Sequence, residues 1–502
     1  MEAYRFEHIN YTYPGGTEPA LQDISFTVNA GEFIVVCGAS GAGKSTLLHQ
    51  LKEKNESFGF VAQNPANQIV TDRVYHELAF GMESHGVPAP KMRQAIAEMV
   101  TYFGMEDWLD KEPFSLSGGE KQLLNLASVL VMNPDVILFD EPTAQLDPVA
   151  ATEFIEMVRR LNTQMGLTVI LVEQRLEEVL AACDRMLVLH EGEIAAFDSV
   201  SRVFERICRS ELSQEFLSYM PSYVRLFESQ MHGRLQETPD IPGSCPRDIK
   251  ECRRWFYEEE IALAVRSAEE RKESGEPSVQ CRNVFFRYER TGKDVLKEVC
   301  YRAVPGNIYG IAGGNGSGKS TFLKVLTGVL RPYHGSVNTC GKMVCLPQEP
   351  KYLFLQDRIA DIVKSPEARE RFGIGELLER HPYDVSGGQM QRLAMAYLYE
   401  ADASVYAFDE PTKGLDPYWK RVLGEWLEEL AQSGKTVLVV THDVEFAANY
   451  CHFMSMCFDG ELTEPMSTES FFQGHHFYTT AIHKIVRERY PDVISERSLY
   501  ER

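Results

Sequence analysis

The chain carries one ordered set of short motifs twice. Gly38-Ala39-Ser40-Gly41-Ala42-Gly43-Lys44-Ser45 and Gly313-Gly314-Asn315-Gly316-Ser317-Gly318-Lys319-Ser320 are each followed by a glutamine (Gln63, Gln348), a Ser-Gly-Gly (Ser117-Gly118-Gly119, Ser386-Gly387-Gly388) and an Asp-Glu pair (Asp140-Glu141, Asp409-Glu410). The serine-to-aspartate interval is 23 residues in both copies (140 − 117 and 409 − 386), so the two share one frame. A chain of 502 residues written this way is two similar units in tandem, which agrees with what its length alone suggests.

Each glycine-rich stretch has the surroundings its chemistry requires. Phe33 to Cys37 and Ile308 to Ala312 are apolar runs of strand type, and Thr46-Leu47-Leu48 and Thr321-Phe322-Leu323 open helix-compatible segments. A glycine-rich turn between strand and helix, ending in Lys-Ser, lets backbone N–H groups close around phosphates at a helix N-terminus. Nucleotide is therefore expected at Gly38, Ser40, Gly41, Gly43, Lys44, Ser45 and Thr46, and at Gly313, Asn315, Gly316, Gly318, Lys319, Ser320 and Thr321. Lys44 and Lys319 are expected on the β- and γ-phosphates, Ser45 and Ser320 on Mg²⁺.

The motifs downstream of each loop narrow the class. The first copy continues Leu116-Ser117-Gly118-Gly119-Glu120-Lys121-Gln122, then Val136-Ile137-Leu138-Phe139-Asp140-Glu141-Pro142-Thr143, then Leu146-Asp147. The second reads Val385-Ser386-Gly387-Gly388-Gln389-Met390-Gln391, Ala407-Phe408-Asp409-Glu410-Pro411-Thr412, Gly414-Leu415-Asp416 and Thr441-His442-Asp443. With these motifs the chain resembles the ATP-binding cassette (ABC) superfamily over nearly the whole of both halves. The resemblance implies an α/β fold of two tandem ABC ATPase domains. Each would be a P-loop mixed-sheet core with an antiparallel β subdomain and a helical subdomain. It also implies intramolecular pairing of the two cassettes head to tail, so that the Ser-Gly-Gly of one half completes the ATP site of the other. Site one would combine Lys44, Ser45, Gln63, Asp140 and Glu141 with Ser386, Gly387 and Gly388. Site two would combine Lys319, Ser320, Gln348, Asp409, Glu410 and His442 with Ser117, Gly118 and Gly119.

The roles follow from the residue types. Asp140 and Asp409 close apolar strands and suit Mg²⁺, with Ser45 and Gln63 or Ser320 and Gln348 as its other ligands. Glu141 and Glu410 come next, placed to orient or deprotonate the attacking water. Tyr13 and Tyr288 stand where the superfamily stacks an aromatic on adenine; on their own they also fit ordinary strand aromatics. The sites are not equivalent. Where the second half has His442, the first has Gln174, within Leu171-Val172-Glu173-Gln174-Arg175. Gln174 hydrogen-bonds but cannot carry a positive charge, and losing one donor aimed at developing charge costs about 10²- to 10³-fold in rate. Site two is expected to turn over faster, although Glu141 remains in site one, which need not be dead.

Composition fits a cytosolic machine. No apolar stretch approaches the roughly eighteen residues of a membrane span, and Met1-Glu2-Ala3-Tyr4-Arg5 does not open a secretory signal. The eleven cysteines have no C-x-x-C spacing and read as reduced thiols. A net charge of −22 argues against nucleic acid as a partner, because phosphate backbones need basic faces. The expected organisation is a first ABC ATPase domain over 1–215, a linker over 216–277, a second domain over 278–468 and a tail over 469–502. Pro221, Pro239, Pro242 and Pro246 break up the linker, and a charged, helix-like stretch runs from Tyr257 to Glu276. From Lys44 to Gln63 is 19 residues, against 29 from Lys319 to Gln348, so the first half lacks room for the usual hairpin there. From Gln63 to Ser117 is 54, against 38 from Gln348 to Ser386, so the second helical subdomain should be shortened. His475, His476 and His483 have no nearby Cys or paired carboxylate to complete a metal site.

Further stretches resemble a narrower group. Gln63-Asn64-Pro65-Ala66-Asn67-Gln68-Ile69, Glu77-Leu78-Ala79-Phe80-Gly81 and Val172-Glu173-Gln174-Arg175-Leu176-Glu177-Glu178 are similar to the corresponding segments of energy-coupling factor importers, which take up vitamins and transition metals. Pro246 to Trp255 and Phe471 to Thr480 resemble fused two-cassette members of that group. The group usually has histidine at the place of Gln174, a departure confined to site one. The resemblance implies an ATP-hydrolysing subunit on the cytoplasmic face of the cell membrane, held there by a transmembrane coupling subunit and a membrane substrate-binding subunit. The segment around Asn67 and Ile69 is then expected to meet the coupling subunit, the alternative being that Ile69 is simply core. A fused ATPase of a sugar importer, or a soluble cassette protein that acts in translation or nucleic-acid handling, are the alternatives.

Overall fold

The computed structural model describes residues 3–15, 18–209, 213–237, 245–266, 273 and 275–499. Pro239 and Pro242, and residues 267–272 and 274 of the expected charged stretch, lie outside the described residues. The chain divides into two units, Met1–Val224 with Met231–Asp248, and Arg225–Gln230 with Ile249–Arg502.

In the first unit, β1 (Ala3–Tyr11) and β2 (Leu21–Asn29) form an antiparallel ribbon. The main sheet is built from β3 (Phe33–Gly38), β4 (Gly59–Val61), β5 (Val136–Asp140), β6 (Thr168–Val172), β7 (Arg185–His190) and β8 (Glu193–Ser199), in the order β4-β5-β6-β3-β7-β8. Five strands are parallel and β8 returns antiparallel to β7. All six residues of β3 are buried. Such a run suits a strand with both sheet faces covered, and Leu47, Leu48 and Leu51 of the helix Lys44–Lys54 share a core with Ile34 and Val36. The helices Val74–Ser84, Ala89–Phe103 and Gly118–Leu130 pack a separate small core.

The second unit repeats this plan with two differences. Its antiparallel sheet has three strands, β9 (Val279–Phe286), β10 (Leu296–Ala303) and, beyond β11 (Ile308–Ala312), β12 (His334–Thr339), in the order β10-β9-β12. The ten extra residues after Lys319 supply that third strand. The main sheet adds β13 (Met343–Leu346), β14 (Val405–Asp409), β15 (Thr436–Val440), β16 (Phe453–Phe458), β17 (Glu461–Leu462) and β18 (Met466–Ser467) around β11. Its order is β13-β14-β15-β11-β16-β17, with β18 also on β16. The helical part is reduced to Ile359–Ile362 and Pro366–Arg371 ahead of Gly387–Tyr399, as the shorter spacing requires.

Two expectations are corrected. At the expected charged stretch the helix is Ile249–Glu258, not one starting at Tyr257. It stops because Glu260 takes a left-handed conformation (φ 48°). The amides of Glu260 and Ile261 then close on the carbonyls of Tyr257 and Phe256, a Schellman ending. Phe256 is fully buried and meets Tyr490 edge-on, Arg253 pairs with Glu488, and the helix packs on Ala481–Val486. Linker and tail thus share one small core within the second unit. Ile69 is likewise core, 5% exposed and packed with Leu78 and Leu124, whereas Val70 beside it is 63% exposed. Among the tail histidines, His475 stacks on Phe471, and His483 is buried with its Nδ1 3.1 Å from the carbonyl of Val493. Burial pushes the His483 pKa down and favours the neutral ring. No group of three His, Cys, Asp or Glu among the described residues can hold a metal.

Candidate functional site

Both glycine-rich loops leave their strands through a conformation that excludes a side chain. Gly38 has φ 141° and a Cβ there would stand 2.1 Å from the carbonyl oxygen of Leu189; Gly313 has φ 149° and 2.2 Å from that of Cys457. Lys44 and Lys319 begin the helices Lys44–Lys54 and Lys319–Leu326 and are buried. Each ammonium donates to two carbonyls of its own loop, Gly38 and Ala39 at 2.8 Å each, and Gly313 and Gly314 at 2.9 and 2.7 Å. The cation therefore waits inside the loop, held by acceptors that an anionic phosphate outcompetes.

Asp140 and Asp409 end β5 and β14 as expected. Burial pushes both carboxyls up, opposed by hydrogen bonds from Ser45 and Ser320; the Ser45 hydroxyl donates to Asp140 Oδ1 at 2.9 Å. Asp409 Oδ1 is buried with no hydrogen-bond partner among the described residues. In the second unit the Ser320 hydroxyl, the Asp409 carboxylate with its orphaned oxygen and the side-chain carbonyl of Gln348 are a hard oxygen set of the kind that suits Mg²⁺.

The next residues show the same backbone outlier. Glu141 and Glu410 lie in the left-handed region, at φ 43° and 53°, with their amides bonded to Val172 and Val440 at 2.9 Å. For a non-glycine residue this conformation costs about 1–3 kcal/mol, a strain that concentrates at functional positions. Their partners differ. Glu141 accepts from Gln63 Nε2 at 2.6 Å and Gln174 Nε2 at 2.5 Å. Glu410 instead faces His442 Nε2 at 3.2 Å and accepts from the His442 amide at 3.2 Å.

The first unit adds a residue the motif reading passed over. Glu173 is 2% exposed, accepts from Thr143 Oγ1 at 2.7 Å and from the Gln174 amide at 2.9 Å, and stands where the second unit has Thr441. Burial, then the Glu173 charge, push Glu141 up to about 7, against the pull of Lys44 and the hydrogen bond from the Gln174 side chain. The signal was in the sequence, as an acid where the second copy has a threonine.

Tyr13 and Tyr288 lie just past β1 and β9, 54% and 60% exposed, and their hydroxyls meet Thr46 and Thr321 at 2.7 and 3.0 Å. In the second unit Tyr288, Asn315, Gly316, Gly318, Ser320 and Gln348 line a cavity of about 320 Å³ with Lys319, Thr321, Glu410 and His442. In the first, Ser40, Gly41 and Ser45 are exposed, while Thr46 is buried. Ser117 and Ser386 are exposed N-caps of Gly118–Leu130 and Gly387–Tyr399, each closing a capping box with Glu120 or Gln389. Gly119 and Gly388 follow as the second residues of those helices. Such an end presents free amides and a hydroxyl to an anion. Asp147 and Asp416 cap Pro148–Met165 and Pro417–Gln432.

Strand, loop and helix order with these side chains define each unit as a P-loop nucleotide-binding cassette. The ABC transporter family matches residues 21–144 and 296–413, once in each unit. A Bacillus cereus protein provisionally named as an ABC transporter ATP-binding protein is 34% identical over 548 aligned positions, covering 98% of this chain and 97% of that protein. A similarly named Streptomyces coelicolor protein is 30% identical, covering 97% of each. Among solved structures, the archaeal ribosome recycling factor aABCE1, in complex with the ribosomal stalk protein aP1, shares the fold with a TM-score of 0.62 and 21% identity over 93% of this chain and 91% of that one. The chain belongs to the ABC transporter family of ATP-binding proteins and is an ATPase. No helix among the described residues is long and apolar enough to cross a membrane.

Proposed function

We propose that this chain is the ATP-hydrolysing subunit of an energy-coupling factor importer, working at the cytoplasmic face with a transmembrane coupling subunit and a membrane substrate-binding subunit. The cassettes extend over 1–215 and 278–468 and pair head to tail, so Ser117, Gly118 and Gly119 complete the ATP site of Lys319, and Ser386, Gly387 and Gly388 that of Lys44. In site two Glu410 orients and deprotonates water, whose oxygen attacks the γ-phosphorus as the bond to the bridging oxygen breaks. His442 and Lys319 stabilise the charge that develops, while Ser320, Asp409 and Gln348 would hold Mg²⁺, which would supply neutralisation of phosphate charge. ATP binding favours the closed pair and hydrolysis releases it.

One observation carries the unequal roles: the pair Glu410–His442 against Glu141–Gln174, the latter beside the buried Glu173. Site two is the main engine and site one mainly holds nucleotide. The importer class is supported by the segments Gln63 to Gly81 and Val172 to Glu178, and by the exposed Val70, Tyr75 and Phe80 of the first helical part. Steady-state ATPase measurements test the first claim: Glu410→Gln removes most turnover and Glu141→Gln much less, and equal losses defeat it. Co-purification from membranes tests the second. Membrane partners without a soluble sugar-binding protein support it, whereas a sugar-binding protein or ribosomes overturn it.

A further inference from the structure

The tail segment Phe471 to Thr480 supplies none of the nucleotide-site residues named above, yet it reaches the second phosphate loop. A methyl group placed on Gly314 would have the Tyr478 hydroxyl as its nearest neighbour, at 3.8 Å. The segment that carries Tyr478 is fixed on both sides. Phe471 and Phe472 are fully buried in the core of the main sheet before it. After it come the buried Thr479 and Thr480, and the Thr480 hydroxyl donates to the Ile494 carbonyl at 2.6 Å and caps Ala481–Val486. The next amide, Ala481 N, donates to Glu445 Oε1 at 2.8 Å, and Glu445 lies three residues beyond His442. The tail is thus tied to the segment that carries His442 while its tyrosine stands against the loop that carries Lys319.

The tie between acid and helix start recurs in the first unit. Glu177 lies three residues beyond Gln174, and its Oε1 accepts from the amide of Ser222 at 3.4 Å. Three residues before Ser222 stands Tyr219, as Tyr478 stands three before Ala481. In both units the acid keeps one spacing from Gln174 or His442, and the tyrosine one spacing from the helix start.

We propose that Tyr478 is a positioning residue for nucleotide at the second phosphate loop. The Gly314 carbonyl accepts from Lys319 at 2.7 Å and from the Ser317 amide at 3.3 Å. When Lys319 moves onto phosphate, the Gly313–Asn315 turn loses a main restraint, and the phenol beside it holds the turn in the shape whose amides bind the anion. Occupancy of the loop is in turn felt by the tail.

The inference rests on nucleotide binding by Lys319, and the test separates the two. In the full chain carrying Lys44→Ala, MgATP affinity and the KM and kcat of ATPase are compared between Tyr478 and Tyr478→Phe, with hydrogen exchange of the peptide spanning Phe471 to Val486 before and after MgATP. One hydrogen bond's worth of positioning raises Kd and KM about 3- to 10-fold while kcat holds. MgATP protects the tail peptide in the parent and not in Tyr478→Phe, and both proteins melt at the same temperature. If Tyr478→Phe matches the parent in Kd, KM and tail protection, the tyrosine only packs and the proposal is wrong. If the parent binds no MgATP and Lys319→Ala changes nothing, the nucleotide reading itself fails.

Discussion

Glu141 is a buried carboxyl whose ionisation works against its own fold. Its pKa rises from 4.5 to about 7, first through burial and then through the neighbouring Glu173 charge. Such a group contributes its full stability below pH 4.5 and loses it as pH climbs through 7, because the unfolded chain ionises more readily. At about 1.36 kcal/mol per pKa unit the whole effect is about 3 kcal/mol, most of which falls between pH 5 and pH 8. Glu141→Gln keeps the shape and removes the titration. In nucleotide-free protein, the variant should therefore gain roughly 2–3 kcal/mol on the wild type in the first unit between those two pH values. Hydrogen exchange of peptides covering β5 and β6, corrected for intrinsic rates, reads that unit separately from the second. A difference between the two proteins that does not change with pH, or a gain that appears in β14 and β15 instead, refutes the reasoning.

Glu173→Thr, which copies Thr441, should bring the Glu141 titration back toward the ordinary carboxylate range, and carbon-detected NMR of the carboxyl measures it directly. Val70→Glu and Phe80→Glu, at side chains 63% and 50% exposed, should release membrane partners in pull-downs while MgATP still raises the melting temperature; Ile69→Glu should instead destabilise the cassette by several kcal/mol, since it buries a charge in a packed core. Ser117→Arg should abolish azido-ATP labelling of the half that contains Lys319 and spare the half that contains Lys44; labelling lost only in its own half defeats the head-to-tail pairing. Glu260→Gly should stabilise the second unit by about 1 kcal/mol in denaturant unfolding, because a left-handed helix end suits glycine.

The parts of the site legible in sequence were those where a backbone constraint dictates residue type. Gly38 and Gly313 are fixed by neighbouring carbonyls at 2.1 and 2.2 Å from any Cβ, and Asp140 and Asp409 by the ends of buried strands. Spacing also foretold the missing third strand and the short second helical part. The coupling of Glu173 to Glu141 was not legible, because it depends on register. β5 pairs with β6 so that Asp140 lies opposite Val172, and only that pairing brings residues 32 positions apart side by side. Ile69 was misplaced for a similar reason: an apolar residue in a loop can face its own subdomain or a partner, and the neighbours that decide come from Val74–Ser84 and Gly118–Leu130. Charge density alone points to a solvated helix past Tyr257, where the left-handed Glu260 instead ends one.

The helix Ser222–Glu237 belongs to both units, its residues Arg225–Gln230 to the second and its flanks to the first. A cut between the cassettes through this helix would remove secondary structure from both products, so the halves are not interchangeable parts on a string. Subunits encoded separately would sort by mass action into like and unlike pairs, with a composition set by their relative expression. Here every copy delivers one half of each kind at a local concentration fixed by covalent connection. The inequality between Gln174 and His442 is thereby inherited as a fixed ratio in every assembly, beyond the reach of gene dosage or dilution.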